Sequence, residues 1–299
     1  MARGPRAAVL TVLKIALALI VLALLGLGLG YLVSPLHTFN TLVPKDAGGR
    51  KVASDLAYGD NPRQQLDIYA PAGGGQGLPV IVFFYGGSWD SGTRHGYDFV
   101  GRALAAQGFV VVIPDYRLVP EVRYPGFVAD AASAVRWARA HVAQYGGDPE
   151  RMVLSGHSAG AYNAAMLAFD DRWLGADRDG VRGFVGLAGP YDFLPLDTDA
   201  SRAAFGQWHD LSETQPVHFA SSDDPPALFL HGADDTTVRP RNSTAMAAAL
   251  EAVGVSARVI DYPGVDHVDV LIRLSRPLRS RTPVLADMVQ FAREVTARD

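Results

Sequence analysis

The sequence predicts an α/β domain with a mostly parallel central sheet, helices on both faces, and one transmembrane helix in front of it. Three observations lead there. From Lys51 onward, β-rich runs alternate with helical segments. Near the middle, Gly156-His157-Ser158-Ala159-Gly160 sits between an apolar run, Met152 to Ser155, and an alanine-rich stretch, Ala161 to Phe169. At the start, Ala7 to Val33 is apolar apart from Lys14.

The apolar start comes first in order. Ile15 to Val33 carries no charge and would be about 29 Å long as a helix, close to the thickness of a bilayer core. Two readings compete, a cleaved signal peptide and a retained anchor. The run exceeds the usual signal-peptide core and lacks a clear small-x-small site before Pro35, which favours a retained span. Arg3 and Arg6 precede it and would hold the N-terminus on the cytoplasmic side. The expectation is a cytoplasmic stub and anchor over 1–33, a Pro- and Gly-containing linker over 34–50, and a catalytic domain over 51–299. That places a single-pass protein in the inner membrane with its catalytic domain on the periplasmic or extracytoplasmic side.

Val52 to Tyr58 and Gln65 to Tyr69 read as two leading strands joined by the polar turn Gly59-Asp60-Asn61-Pro62. Pro79 to Tyr85 is continuously β-rich, the pattern of a strand covered on both faces. Phe109 to Ile113, Met152 to Ser155, Phe184 to Ala188, Ala227 to Leu230 and Arg258 to Tyr262 are further strands. Tyr97 to Gln107, Phe127 to Gln144, Ser243 to Val253 and Thr282 to Ala297 are helical, the last with Thr282 as its N-cap and Pro283 at its first position. Repeated β-α-β order implies a mostly parallel sheet with helices on both faces.

Composition narrows the function. The chain has 299 residues, 48% hydrophobic, with a net charge of −4, so nothing in it suggests nucleic acid. It contains no Cys, which excludes disulfides, thiolate metal sites and a Cys nucleophile. No signal sets an oligomeric state.

G-x-S-x-G by itself is a weak pattern. Its setting, strand then Ser then helix, is that of a nucleophile elbow. Ser158 must then sit on a tight, strained turn, while Gly156 and Gly160 let strand and helix approach. A serine hydroxyl needs a base to attack a carbonyl. His267 lies in Tyr262-Pro263-Gly264-Val265-Asp266-His267, just after a strand, at the sheet edge where a base must stand. His157 adjoins Ser158 but points the wrong way for in-line help, and His231, ending an apolar strand, reads as structural. The base needs an orienting carboxylate, and Asp234 and Asp235 both offer one, with Asp235 favoured. An oxyanion needs preorganised donors: the N–H of Ala159 and one from Gly87 or Ser88, with Gly86 shaping the turn. Leu194 to Pro226, with Phe205, Trp208 and Phe219, reads as a cap over the same edge.

Taken together, Tyr85-Gly86-Gly87-Ser88-Trp89, Pro114-Asp115-Tyr116-Arg117-Leu118, Gly156-His157-Ser158-Ala159-Gly160, His231-Gly232-x-x-Asp235-x-x-Val238 and His267 resemble the α/β-hydrolase superfamily over about residues 50–299. The likeness is to its esterase and lipase branch: hormone-sensitive-lipase-like, bacterial feruloyl- and acetyl-esterase-like, and kynurenine-formamidase-like proteins. The resemblance implies the α/β-hydrolase fold, a Ser158–Asp235–His267 triad, and hydrolysis of a small-molecule or glycan ester with no cofactor or metal. It adds weight to Asp235 over Asp234. One departure stands out: the branch usually opens its oxyanion loop with His-Gly-Gly, and here Tyr85 takes the place of the His. Alternatives on the same triad are amide or formamide hydrolysis and acyl transfer to an envelope glycan. A non-catalytic binding protein is the reading from another class.

Overall fold

The computed structural model describes residues 13–17, 21, 26, 28, 30 and 34–298. The chain divides into two units, Met1–Val43 and Pro44–Asp299. In the first, the described helix with defined ends is α1, Pro35–Leu42, with Pro35 at its opening turn.

The expected membrane helix is corrected here. Among the described residues no helix is long and apolar enough to cross a membrane. With eight residues, α1 would span only about 12 Å at 1.5 Å per residue. Most of Ile15–Val33, on which the expectation rested, lies outside the described residues. The single-pass inner-membrane location and the membrane as a partner are withdrawn with it.

The second unit is built on an eight-stranded sheet in the order β1-β2-β4-β3-β5-β6-β7-β8. β1 (Gly49–Ala57) and β2 (Gln65–Pro71) form the antiparallel entry expected from the polar turn between them. β2 also runs antiparallel to β4 (Val110–Pro114). From there every pairing is parallel: β4 with β3 (Leu78–Phe84), then β5 (Gly147–His157), β6 (Val181–Leu187), β7 (Ala227–Gly232) and β8 (Ala257–Tyr262).

The apolar runs explain the layering. Every residue of β4 and of β7 is buried. Successive strand side chains point to opposite faces, so both faces must be covered. Helices α2 (Asp98–Ala105), α3 (Gly126–His141), α4 (Ala159–Phe169), α5 (Asp171–Leu174), α6 (Asp199–Phe205), α7 (Arg241–Ala252), α8 (Asp269–Ile272) and α9 (Val284–Val295) supply that cover and the connections. All eleven residues of α4 are buried, as a helix hydrophobic all round requires.

Several boundaries differ from expectation: β1 opens at Gly49 and β5 at Gly147, both upstream of the apolar runs that predicted them, α1 lies within the expected linker, and two helix starts shift. α9 starts at Val284 with Pro283, not Thr282, in the capping position, and no side chain caps it. Thr282 is engaged elsewhere, accepting a bond from Arg273. The segment expected as one helix from Tyr97 opens instead as a 3-10 turn, Arg94–Tyr97, before α2.

The parallel register carries the strand ends to one edge. Phe84 pairs with Gly156, His157 with Leu187, and Gly232 with Tyr262. The segments that follow these strands therefore emerge side by side.

Candidate active site

Ser158 follows β5 directly and precedes the first residue of α4. Its backbone has φ 53° and ψ −124°, a conformation L-residues rarely adopt. Such a turn persists only when its surroundings over-determine it. The two flanking glycines show how. A Cβ on Gly156 would lie 2.4 Å from the carbonyl carbon of Gly160, and one on Gly160 would lie 2.1 Å from the carbonyl oxygen of Phe84. Strand and helix cross too closely for any side chain at either place. The Ser158 N–H donates to Leu187 O at 2.9 Å, tying the turn to β6.

His267 reaches this hydroxyl from the loop after β8. Its Nε2 lies 2.9 Å from Ser158 Oγ. Its Nδ1 lies 2.7 Å from Asp235 Oδ2. A carboxylate only accepts, so Nδ1 carries the proton and Nε2 is free to accept from the Ser158 hydroxyl. The loop is shaped by Asp266, whose Oδ1 accepts from the N–H groups of Val268 and Asp269. Gly232 lets it lie close to the end of β7, since a Cβ there would sit 2.3 Å from Val265 O.

Asp235 is buried and Asp234 is exposed. Burial alone would raise the Asp235 carboxyl, but hydrogen bonds from His231 and His267 outweigh it and hold it well below the usual carboxylate range. Its Oδ1 also accepts from the N–H groups of Thr237 and Val238 at 2.8 and 2.9 Å. His231 sits behind it, fully buried, with Nε2 donating to Val238 O at 2.8 Å and lying 3.3 Å from Asp235 Oδ2. Its Nδ1 accepts from Ser243 Oγ at 2.7 Å. The structural reading of His231 thus has a specific form, a brace for Asp235 and for the turn beyond it.

His157 does point away from the Ser158 hydroxyl, as expected. Its Nε2 donates to the backbone carbonyl of His267 at 2.8 Å, and the two imidazoles meet tilted at 42° with centroids 4.8 Å apart. Burial, then repulsion from His267, pushes its pKa down to about 3, so the ring is neutral. Residue types alone did not reveal this link, because it joins a side chain to a main-chain atom 110 positions away.

The loop after β3 carries Gly86, Gly87 and Ser88. Among the described residues neither Gly87 nor Ser88 uses its N–H in a backbone hydrogen bond. Ala159 opens α4, where N–H groups have no intrahelical acceptor. Ser88 and Trp89 both have positive φ, 52° and 63°, although neither is Gly. Gly86 packs against the elbow, where a Cβ would meet His157 O and Ser158 Cβ at 2.9 Å. Tyr85, in the place of the usual His, is fully buried. Its hydroxyl donates to Asp115 Oδ1 at 2.8 Å and accepts from Arg63 at 2.8 Å. Its ring stacks on Tyr97 and Tyr116, and Tyr116 donates back to Tyr85 O at 2.8 Å. Arg94 pairs with Asp115 and Asp67 beneath the same loop. Arg117 forms a two-pronged pair with Asp130. The Asp115-Tyr116-Arg117 run therefore supports the loop from below.

A cavity of about 250 Å³ opens on Ser158 and Ala159. Of the expected cap, Asp197, Thr198 and the start of α6 line it, with Phe193, just before the cap, and Trp89 as apolar walls. Phe205 stands behind, edge-on to Trp89 at 4.8 Å. Trp208 packs on Tyr124 and Phe219 on Arg172, and neither lines the cavity. A larger hollow of about 540 Å³ along α9 holds none of the candidate residues. Among the described residues no group of three or more His, Cys, Asp or Glu could hold a metal ion.

Known esterases resemble this chain in sequence and in fold. Isoprenylcysteine alpha-carbonyl methylesterase of Arabidopsis thaliana is 29% identical over 262 residues, covering 80% of this chain and 61% of that protein. Esterase LipC of Mycobacterium tuberculosis is 31% identical over 243 residues, covering 71% of this chain and 58% of that protein. The chain thus spans about three-fifths of the length of either relative. Among solved structures, a truncated carbohydrate esterase from gut microbiota superposes with a TM-score of 0.75 at 21% identity, covering 86% of this chain and 100% of that one. Esterase B from Lactobacillus rhamnosis gives a TM-score of 0.76 at 20% identity, covering 92% and 95%. At such identities the likeness concerns the fold. The BD-FAE family model matches residues 66–250, from β2 to the end of α7, and the chain belongs to that family, in the esterase and lipase branch of the α/β-hydrolases.

Proposed function

We propose that the protein hydrolyses carboxylic esters through an acyl-enzyme on Ser158. The observation that carries this reading is the continuous chain Ser158 Oγ, His267 Nε2, His267 Nδ1, Asp235 Oδ2, with separations of 2.9 and 2.7 Å. The esterase names of its relatives point the same way.

The steps follow from the hydrogen bonds. His267 Nε2 takes the Ser158 proton as Oγ bonds to the ester carbonyl carbon. Charge on the carbonyl oxygen is met by the N–H groups of Ala159 and of Gly87 or Ser88, each such donor lowering the barrier by roughly 3 kcal/mol. The carbonyl–alkoxy bond breaks, and His267 returns the proton to the departing alcohol. Water then gives a proton to His267 Nε2 as its oxygen bonds to the acyl carbon; the Ser158 Oγ–acyl bond breaks, His267 returns the proton to Oγ, and the acid leaves. Throughout, Asp235 fixes the ring and stabilises the imidazolium. The substrate class that suits the cavity is a small-molecule or glycan ester. No cofactor enters these steps.

A fluorophosphonate probe followed by intact mass tests the reading. One adduct, mapped to Ser158 and absent from Ser158→Ala, is expected. Folded protein that stays unlabelled would overturn it. Adding an alcohol acceptor during turnover separates hydrolysis, where acid remains the product, from acyl transfer.

A further inference from the structure

The cavity beside Ser158 has one charged stretch that ester hydrolysis does not require. Between β7 and α7 the segment Thr236–Asn242 supplies a large part of its lining, Arg239 and Arg241 included. Both arginines are exposed, and among the described residues neither has an ion-pair partner within 4 Å. Asp197 also lines the cavity and pairs with neither. Elsewhere in the second unit, arginines next to buried or half-buried acids are paired, as with Arg94, Arg117 and Arg178. What sets Arg239 and Arg241 apart is their place: two guanidinium groups without an ion pair stand together in the wall of the cavity that opens on Ser158.

Their backbone is held firmly. Asp235 Oδ1 binds the N–H groups of Thr237 and Val238, and His231 binds Val238 O. Asn242 Nδ2 donates to Arg239 O at 3.1 Å, while its Oδ1 accepts from the N–H groups of Tyr191 and Asp192. The segment presenting the two cations is therefore pinned at both ends to the same framework that sets the candidate triad. Guanidinium offers a planar fork of donors that matches carboxylate or phosphate oxygens.

We propose that the ester cleaved here carries an anionic group, carboxylate or phosphate in kind, which Arg239 and Arg241 bind while the ester carbonyl lies at Ser158. The proposal rests on the esterase reading above and adds the substrate's charge. The neutral part of such a substrate faces Trp89 and Phe193, and its anion faces the arginines.

Matched ester pairs at pH 7.5 test it. Monoethyl glutarate against ethyl pentanoate places the charge on the acyl side. 4-Acetoxybenzoate against 4-acetoxybenzamide places it on the alcohol side. In at least one pair the anionic member should have the higher kcat/KM at low salt, by about three- to thirty-fold for two solvent-facing ion pairs. The ratio should shrink in 0.5 M NaCl, as screening of exposed charges demands. In the double variant Arg239→Gln, Arg241→Gln the ratio should fall at least threefold. Equal or better turnover of the neutral member in both pairs overturns the proposal, as does a double variant that keeps the wild-type ratio. If none of the four esters is cleaved and Ser158 takes no fluorophosphonate, the esterase reading itself fails and the proposal with it. Cleavage of all four at ratios near one leaves the esterase reading standing and removes only the anion.

Discussion

The two sides of the candidate site are built by different physics. The nucleophile side, residues 84–92 and 156–160, is held by backbone: positive φ at Ser88, Trp89 and Ser158, and glycines packed against carbonyls closer than any Cβ allows. The base side, residues 231–267, is held by side chains, with Asp235, His231, Asn242 and Asp266 each bonded to main-chain N–H or C=O groups. A backbone device fails by unfolding when a methyl is added. A side-chain device fails by losing orientation while the fold survives.

Substitutions can break that contrast or sharpen it. Ser158→Ala should lower kcat by roughly a million-fold with the unfolding midpoint little changed, since it removes the attacking atom and leaves the turn. Asp235→Asn should lower kcat by about 10⁴-fold through the wrong imidazole tautomer, with near-UV circular dichroism retained. On the other side, Gly160→Ala should cost on the order of 3 kcal/mol or more in urea unfolding, because its Cβ would stand 2.1 Å from a main-chain oxygen with no room to yield. If Gly160→Ala folds with full stability and Asp235→Asn unfolds, the contrast is wrong in both directions.

His157 links the two sides and gives the pH test. Its folded-state pKa of about 3 lies below the ordinary His value of 6.5. The unfolded chain therefore binds a proton that the folded chain excludes. Stability is complete above pH 6.5 and is lost as pH falls toward 3, at up to about 1.4 kcal/mol per pH unit from this group. His157→Gln, which keeps an N–H donor for His267 O, should flatten that slope in urea midpoints taken between pH 7 and pH 4.5. An unchanged slope would assign the acid sensitivity elsewhere. The smallest effect is expected at Ser88, where φ is 52°. Ser88→Gly relieves the left-handed strain and should raise stability by about 1 kcal/mol.

The same contrast explains what the sequence could reveal. Backbone devices demand glycine, so Gly86, Gly87, Gly156 and Gly160 were visible as letters around Ser158. Apolar runs marked β3, β4, β6, β7 and the second half of β5, since these are covered on both faces and admit few polar residues. Side-chain devices leave no such trace. Asp234 and Asp235 are identical in type, and only burial separates them. Asn242, which ties the loop after β6 to α7, lay inside a segment read simply as loop and helix. No pattern in the sequence singled out Arg239 and Arg241; the cavity gives them an address. The N-terminal run misled for a different reason. Hydropathy was its only support, and the described residues hold no helix long and apolar enough to cross a membrane.

Asp235 divides its two oxygens between chemistry and scaffold: Oδ2 faces the imidazole, Oδ1 the main chain of Thr237 and Val238. In the mechanism and recognition wall proposed above, turnover rate and the outline of the wall are geared to one carboxylate. A glutamate there would displace both by a methylene, so directed evolution of selectivity has to start beyond Val238, where the wall can change shape and leave the gearing untouched.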